Sequence, residues 1–303
     1  MGDPTRQRIL AVVLTHNAPD SLRRCLEAIA AQSLVPDAVL VVDNASQPTV
    51  EPAALTPFPG DHILERSETN TGPAGGYHQA LGRFVGLDFT HAWVLDDDIR
   101  PEPRCLEYLW EAAAGDPGSA FVFPASRASD GTYGNWPSWC GFLVSRQIVE
   151  RVGLPMAALF WWAEDTEYLQ WRIPEAGFDR QFVPQALVDH DAIRQGGTVP
   201  LWKYYYEARN MLYVHLHVKH RIGRYPGNLG RLMARAVVRE GEGRLRRLGV
   251  IGRGLADGAR GRLGIRYPVG TLTERTGAPG GPVRPGGSPP DSAPGGGIGR
   301  DDA

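Results

Sequence analysis

The amino-acid sequence predicts an α/β fold built around a doubly wound sheet. Two observations lead there. Through the first hundred residues, short apolar runs alternate with amphipathic helical stripes, and acidic residues close two of the runs. Repeated β-α-β units give parallel strands joined by right-handed crossovers. Ligands in such sheets bind beyond the carboxyl ends of the strands.

Taken in order, Ile9–Thr15 is a continuous, largely β-branched run, the pattern of a strand covered on both faces. Asp20 and Ser21 offer an N-cap, and Leu22, Cys25, Leu26 and Ile29 then fall on one helix face. Ala38–Val42 reads as a second buried strand ending at Asp43-Asn44, and His62–Glu65 as a short third. Tyr77, Ala80, Leu81 and Phe84 form another helical stripe, and Ala92–Leu95 another strand. Gln185–Val188 is strand-like, and Leu201–His220 reads as a long helix.

The chain has 303 residues, 42% apolar and 22% charged, which excludes a fibrous protein or wholesale disorder. The formal charge of −2 hides an asymmetry. Lys203 to Arg266 holds 15 Lys and Arg against 4 Asp and Glu, whereas the rest holds 17 against 30. An acidic body therefore carries a basic segment. Three cysteines without metal-type spacing point to a reducing compartment. The early apolar run Ile9–Leu14 is too short for a signal peptide or a membrane span, so the expectation is a cytoplasmic protein whose membrane contact is peripheral. Gly277 to Ala303 contains nine Gly and six Pro and reads as a disordered tail. The expected organisation is a catalytic domain over 1–200, a basic helical extension over 201–270 and a tail over 271–303.

The chemistry concentrates at four places. Asp96-Asp97-Asp98 follows an apolar strand. Adjacent carboxylates raise one another's pKa, and a divalent cation such as Mg²⁺ or Mn²⁺ relieves that cost. Alternate residues of an extended segment share a face, so Asp96 and Asp98 can enter one site while Asp97 points elsewhere. The plain alternative is a solvated acidic turn with Asp98 capping a helix. Asn70–Gly76 is a Gly-rich turn leading into a helix, suited either to close ligand approach or to a simple tight turn. Glu164 and Asp165 follow Trp161-Trp162, a setting that lifts a carboxylate pKa toward that of a working base, or else they serve a helix N-terminus. His190 lies between Asp189 and Asp191, as a metal ligand or as an ordinary hydrogen-bonded histidine.

In order, Val12–Asn17, Val42–Ser46, Asn70–Gly76, Asp96-Asp97-Asp98, Glu164-Asp165 and His190 resemble the family 2 glycosyltransferases. The resemblance covers residues 8 to 192 and implies the GT-A fold, a doubly wound mixed sheet with a C-terminal helical extension. The triple aspartate, the tryptophans before the acidic pair and the spacing to His190 look most like bacterial galactofuranosyltransferases, with rhamnosyltransferases close behind. The chain lacks the additional domains of polymerising relatives, which favours transfer of one or a few residues.

By this resemblance, Thr15 and Asp43 contact the donor nucleoside, and Arg66, Asn70, Gly75, Gly76, Asp96 and Asp97 contribute to nucleotide-sugar binding. Asp96, Asp98 and His190 hold Mn²⁺ or Mg²⁺ on the donor diphosphate. Asp165 is the base that deprotonates the acceptor hydroxyl for a single inverting displacement. Trp136, Trp139, Trp161, Trp162 and Glu164 are acceptor-site candidates, with ordinary core packing as the alternative for each ring. Arg209 reaches donor or acceptor phosphates, or pairs with an acidic residue of the body. The implied reaction moves a sugar, galactofuranose by preference, from a nucleoside diphosphate to a glycan or lipid-linked acceptor in cell-wall polysaccharide synthesis. Transfer from dTDP-rhamnose is the alternative, as is a non-catalytic nucleotide-sugar or membrane-surface binding protein. A sugar-nucleotide pyrophosphorylase is disfavoured because Thr15–Pro19 lacks a Gly-rich basic loop.

Leu229, Leu232, Met233, Ala236 and Val237 form an apolar stripe beside Arg231, Arg235 and Arg239, and Leu245, Leu248 and Leu255 recur among arginines after Gly241-Glu242-Gly243. Such helices lie on anionic lipid at the inner face of the plasma membrane, or pack their apolar side on the acidic body. Nucleic acid is not an expected partner, since no aromatic residues interleave these arginines. The whole reading requires His190 to reach the aspartate triplet and Asp165 to face the same cavity.

Overall fold

The computed structural model describes residues 7–127, 131–190, 199–223, 225–239 and 243–272. The Gly/Pro-rich stretch 277–303, Asp191 and the break at 241–242 lie outside the described residues. The strands follow the apolar runs closely: β1 is Ile9–Thr15, β2 Ala38–Asp43, β3 Asp61–Arg66 and β4 His91–Asp96. Helix α1 (Pro19–Ala30) differs at its start. Ala18 is the N-cap, no side chain caps it, and Pro19 opens the first turn with its fixed φ, so Asp20 sits inside the helix instead of capping it. Helix α2 (Gly72–Val85) links β3 to β4.

Further on come β5 (Ile99–Pro101), α3 (Cys105–Ala113), β6 (Phe121–Arg127), β7 (Tyr133–Gly134), β8 (Cys140–Ser145) and α4 (Arg146–Val152). Short helices α5 (Glu164–Glu167) and α6 (Ile173–Glu175) precede β9 (Gln181–His190). One mixed sheet runs β3-β2-β1-β4-β8-β6-β9-β5, with β7 on β6. The first four strands of that order are parallel, and β8 turns antiparallel to both β4 and β6.

Alternate residues of β1 enter different cores, as a doubly wound sheet requires. Ile9, Ala11 and Val13 pack with α1 and α3, whereas Leu10, Val12 and Leu14 pack with α2 and α4. Register then sets the functional edge. Thr15 pairs with Asp43, Asp43 with Arg66, and Leu14 with Asp96, so these residues share one end of the sheet. On the far side Ile99 of β5 pairs with His190 of β9, which brings His190 beside Asp98 although 92 positions separate them.

The expected long helix divides into α7 (Leu201–Tyr213) and a wider π-helical turn at Val214–Val218. Helices α8 (Tyr225–Ala234) and α9 (Arg244–Ala259) follow. Trp202, Tyr204, Tyr205 and Tyr206 of α7 share a buried cluster with Phe160, Leu232, Ala236, Val250 and Ile251. The closest crossing is between α7 and α9. A side chain at Gly254 or Gly258 would collide with the backbone carbonyl of Tyr205 or Arg209, so glycine permits the approach. Most of the apolar stripe at 229–237 therefore faces protein, and Val238 and Leu245 remain exposed. Among the described residues no helix is long and apolar enough to cross a membrane.

Candidate active site

At the carboxyl end of β4 the three aspartates diverge. Asp96 Oδ1 accepts from the Tyr77 hydroxyl at 2.5 Å, and burial with the nearby Asp98 charge pushes its pKa up to about 8. Asp97 turns toward β1, where Thr15 Oγ1 donates to its Oδ2 at 2.6 Å; burial raises it to about 7. Asp98 Oδ2 lies 3.2 Å from His190 Nε2, and its Oδ1 is buried without a hydrogen-bond partner. Burial pulls the His190 imidazole down, but its contact with Asp98 outweighs this and leaves it well above its ordinary value.

Among the described residues no three His, Cys, Asp or Glu side chains gather with metal-binding geometry. Asp96 is turned to Tyr77, so the expected trio of Asp96, Asp98 and His190 reduces to the Asp98–His190 pair. That pair still suits a hard divalent cation, because it joins an imidazole to a carboxylate whose second oxygen is buried and unpartnered.

The acidic pair at the start of α5 sits on the other side of Trp139. Trp139 is 4% exposed, stacks on Tyr77 with centroids 4.0 Å apart and accepts the Asp96 N–H at its carbonyl, 2.8 Å away. Its indole N–H faces Glu164 without completing a hydrogen bond, and this proximity opposes the other influences on that carboxyl. Burial and the charge of Asp165 raise the Glu164 pKa strongly, with Asp96 adding to the effect. Burial also raises Asp165, but its Oδ1 accepts from Thr166 N at 2.6 Å and Thr166 Oγ1 at 3.2 Å. These bonds favour the ionised form of Asp165, whereas Glu164 Oε2 is buried with no hydrogen-bond partner.

Asp165 opens into a groove of about 520 Å³. Trp161, Trp162 and Glu164 form one wall, and Asn228, Leu229 and Arg231 of α8 form the other. Arg235 and Glu207, also on its lining, pair with each other. The contribution of α8 had no motif to signal it. A smaller pocket of about 260 Å³ lies where the loops after β1 and β2 meet, lined by Asn17, Ser46, Pro48 and Val50 among others.

Several expected ligand-binding residues make their contacts within the protein. Asp43 has no exposed side-chain surface; its oxygens accept from Ser46 N, Val50 N and Arg66 Nη1. Arg66, 40% exposed, is the member of that pair open to solvent. Asn70 Oδ1 accepts from Gly72 N at 2.8 Å and folds its own turn, while Asn44 holds Thr71 and the Gly72 carbonyl. Gly75 and Gly76 are buried where a Cβ would strike Thr71 and Leu14, so they permit α2 to pack on β1 and do not line a ligand surface. Trp139 belongs to the core, not to an acceptor surface. Trp162 at 38% and Trp136 at 67% exposure are the open rings, and Trp161 leans edge-on against Trp202. Arg209 is fully buried and bonds carbonyls of Leu159 and Gly264, so it reaches neither phosphate nor an acidic side chain.

The curled mixed sheet is the GT-A fold of glycosyltransferases, and the groove at Asp165 is lined by none of Asp96, Asp97, Asp98 and His190. The chain belongs to glycosyl transferase family 2, whose profile matches residues 10–178, more than half its length. Galactofuranosyltransferase GlfT1 of Mycolicibacterium smegmatis is 35% identical over 94 residues, 31% of this chain and 30% of that protein. The Mycobacterium tuberculosis GlfT1 is 33% identical over 95 residues, 30% of this chain and 31% of that one. The matched stretch thus spans under a third of these relatives. Among solved structures, the mannosyltransferase PcManGT from Pyrobaculum calidifontis, in complex with GDP-Man and Mn²⁺, superposes with a TM-score of 0.55. Identity there is 17%, over 85% of this chain and 77% of that one. GalNAc-T7 with UDP, GalNAc and Mn²⁺ gives 0.51 at 13% identity, over 76% of this chain and 55% of that one.

Proposed function

We propose that this protein is a divalent-metal-dependent, inverting glycosyltransferase that moves galactofuranose from a nucleoside diphosphate to a hydroxyl of a glycan or lipid-linked acceptor. The observation that carries the reading is the proximity around Trp139, whose backbone carbonyl accepts the Asp96 N–H and beside which Glu164 feels the charge of Asp96. The partial likeness to GlfT1 supports galactofuranose as the sugar. The Mn²⁺ bound in two structural neighbours supports the metal.

Asp98 and His190 would hold the cation. When bound, it offsets the charge that develops on the departing diphosphate. Thr15 and Asp97 fix each other at the edge of that site, and Tyr77 aims Asp96. The pocket beside Asn17 and Pro48 suits a flat base, and Arg66 suits the anionic part of the nucleotide. The acceptor enters the groove between Trp162 and α8, where exposed aromatic surface suits a sugar face. Ionised Asp165 takes the proton of the acceptor hydroxyl as that oxygen attacks the anomeric carbon from the side opposite the diphosphate. Burial and the charge of Asp165 disfavour a second negative charge on Glu164 beside it.

The test combines MnCl2 with UDP-galactofuranose, dTDP-rhamnose and GDP-mannose, reading release of nucleoside diphosphate in the presence of alkyl glycoside acceptors. Turnover with UDP-galactofuranose that EDTA abolishes is expected. Turnover with dTDP-rhamnose instead selects the other sugar, and none with any donor refutes the activity. Asp165→Asn should lower kcat by about 10²–10⁴ and leave donor affinity within about threefold; a normal kcat or lost donor binding overturns the assignment of the base.

A further inference from the structure

The turn that delivers the acidic pair is strained. Phe160, Trp162 and Ala163 hold φ values of 64°, 76° and 69° immediately before Glu164 and Asp165. Left-handed backbone at a non-glycine residue is disfavoured and persists only where its surroundings enforce it. Three such residues within four positions need an external clamp.

That clamp comes from α7. Asn210 Nδ2 lies 2.8 Å from the Leu159 carbonyl, 2.7 Å from that of Trp161 and 2.8 Å from that of Trp162. Its two N–H groups are thus shared among three carbonyls that only this left-handed course brings together. Arg209 Nε donates to Asn210 Oδ1 at 2.7 Å, which orients the amide with its NH₂ toward the turn, and Arg209 Nη2 adds a bond of 2.8 Å to Leu159. Both side chains are fully buried. The guanidinium is accommodated by carbonyls and by the Tyr205 and Tyr206 rings, 5.5 and 4.7 Å away. From the opposite side the Phe160 carbonyl accepts the Ala74 N–H of α2 at 3.2 Å.

We propose that Asn210, oriented by Arg209, is the positioning residue of the Glu164-Asp165 pair, holding the 159–163 turn in the course that presents both carboxyls to the groove against α8. The inference rests on the glycosyltransferase reading above. Asn210 does not itself line the acceptor groove, although it bonds the backbone of two residues that do, and it has no hydrogen bond to the residues assigned to donor and metal. Its loss therefore displaces the base while donor binding stays intact. A misplacement of about 1 Å in a catalytic group costs on the order of 10² in rate.

The experiment uses the full chain with UDP-galactofuranose and MnCl2, comparing wild type with Asn210→Leu, which keeps the volume and removes both N–H groups. The expected result is a kcat lower by about 10² with donor KM within about threefold. Amide hydrogen exchange should be faster at 160–165 and unchanged in β1 and β4. Asn210→Ser, which keeps one donor, should recover part of kcat, and it carries the test should the leucine variant not fold. Unchanged kcat in a folded variant, or a rise in donor KM as large as the fall in kcat, overturns the proposal. Absence of turnover by wild type, with this donor and the two others above, overturns the glycosyltransferase reading itself, a distinct result.

Discussion

At the scale of single residues, the tightest constraint falls on Gly72. It has a φ of +67°, and a Cβ there would run into the Phe160 carbonyl. Gly72→Ala should lower the free energy of unfolding by at least about 1 kcal/mol, the order of cost of an unsupported left-handed residue, read from urea denaturation. An unchanged denaturation midpoint would mean that this contact is loose. The pattern of Asn70–Gly76 is legible as a turn leading into a helix, but a tight turn against protein and one against phosphate share that pattern. The burial of Asp43 and Trp139 is not legible, because no local pattern reports it. Thr15, Asp97, Asp98 and His190 were legible because strand ends on one sheet edge must converge.

At the scale of elements, β1, β2 and β4 could be read from the sequence because each is an almost continuously buried run, whereas β3 is a short, largely exposed strand marked only by its apolar centre. The antiparallel turn of β8 and the length of β9 could not: β9 alternates buried and exposed positions, and its pairing with β5 is entirely long-range. The seam between α7 and α9 was equally hidden. Its chemistry predicts acid sensitivity. Asp257 lies in this seam, where burial raises its pKa but bonds from Tyr205 and Arg266 outweigh that and leave it lowered. A carboxyl depressed in the folded state contributes stability above its unfolded pKa of about 3.9 and loses it as pH falls through the lower, folded value. Below about pH 4 the wild type should therefore lose stability that Asp257→Asn never had. The difference in their thermal midpoints should narrow as pH drops, and a constant gap would contradict the pairing.

At the scale of the whole molecule, the basic segment is first of all a structural layer. Leu232, Ala236, Val250 and Ile251 bury themselves against α7, and Arg247, fully buried, donates to the Ala236 carbonyl. A chain ended near His220 would expose that cluster, so truncation is a poor probe of lipid contact. The exposed apolar pair Val238 and Leu245, at 78% and 85%, is the better target. Burial of such side chains in an apolar phase contributes about 1.5–3 kcal/mol each, and nearby arginines add attraction to anionic headgroups. Wild type should co-sediment with phosphatidylglycerol vesicles at low salt, and Val238→Ser/Leu245→Ser should release it. Equal sedimentation of both proteins would assign the segment to packing alone.

The touching of Gly72 and Phe160 bears on how such enzymes can be re-engineered. The turn that opens α2 and the turn that carries Glu164 and Asp165 are interlocked through one carbonyl, with Asn210 as the third tooth. An acceptor loop grafted from another transferase will therefore seat only if positions 72, 160 and 210 travel together. Swapping specificity in this scaffold is a three-point transplant, not an exchange of one loop.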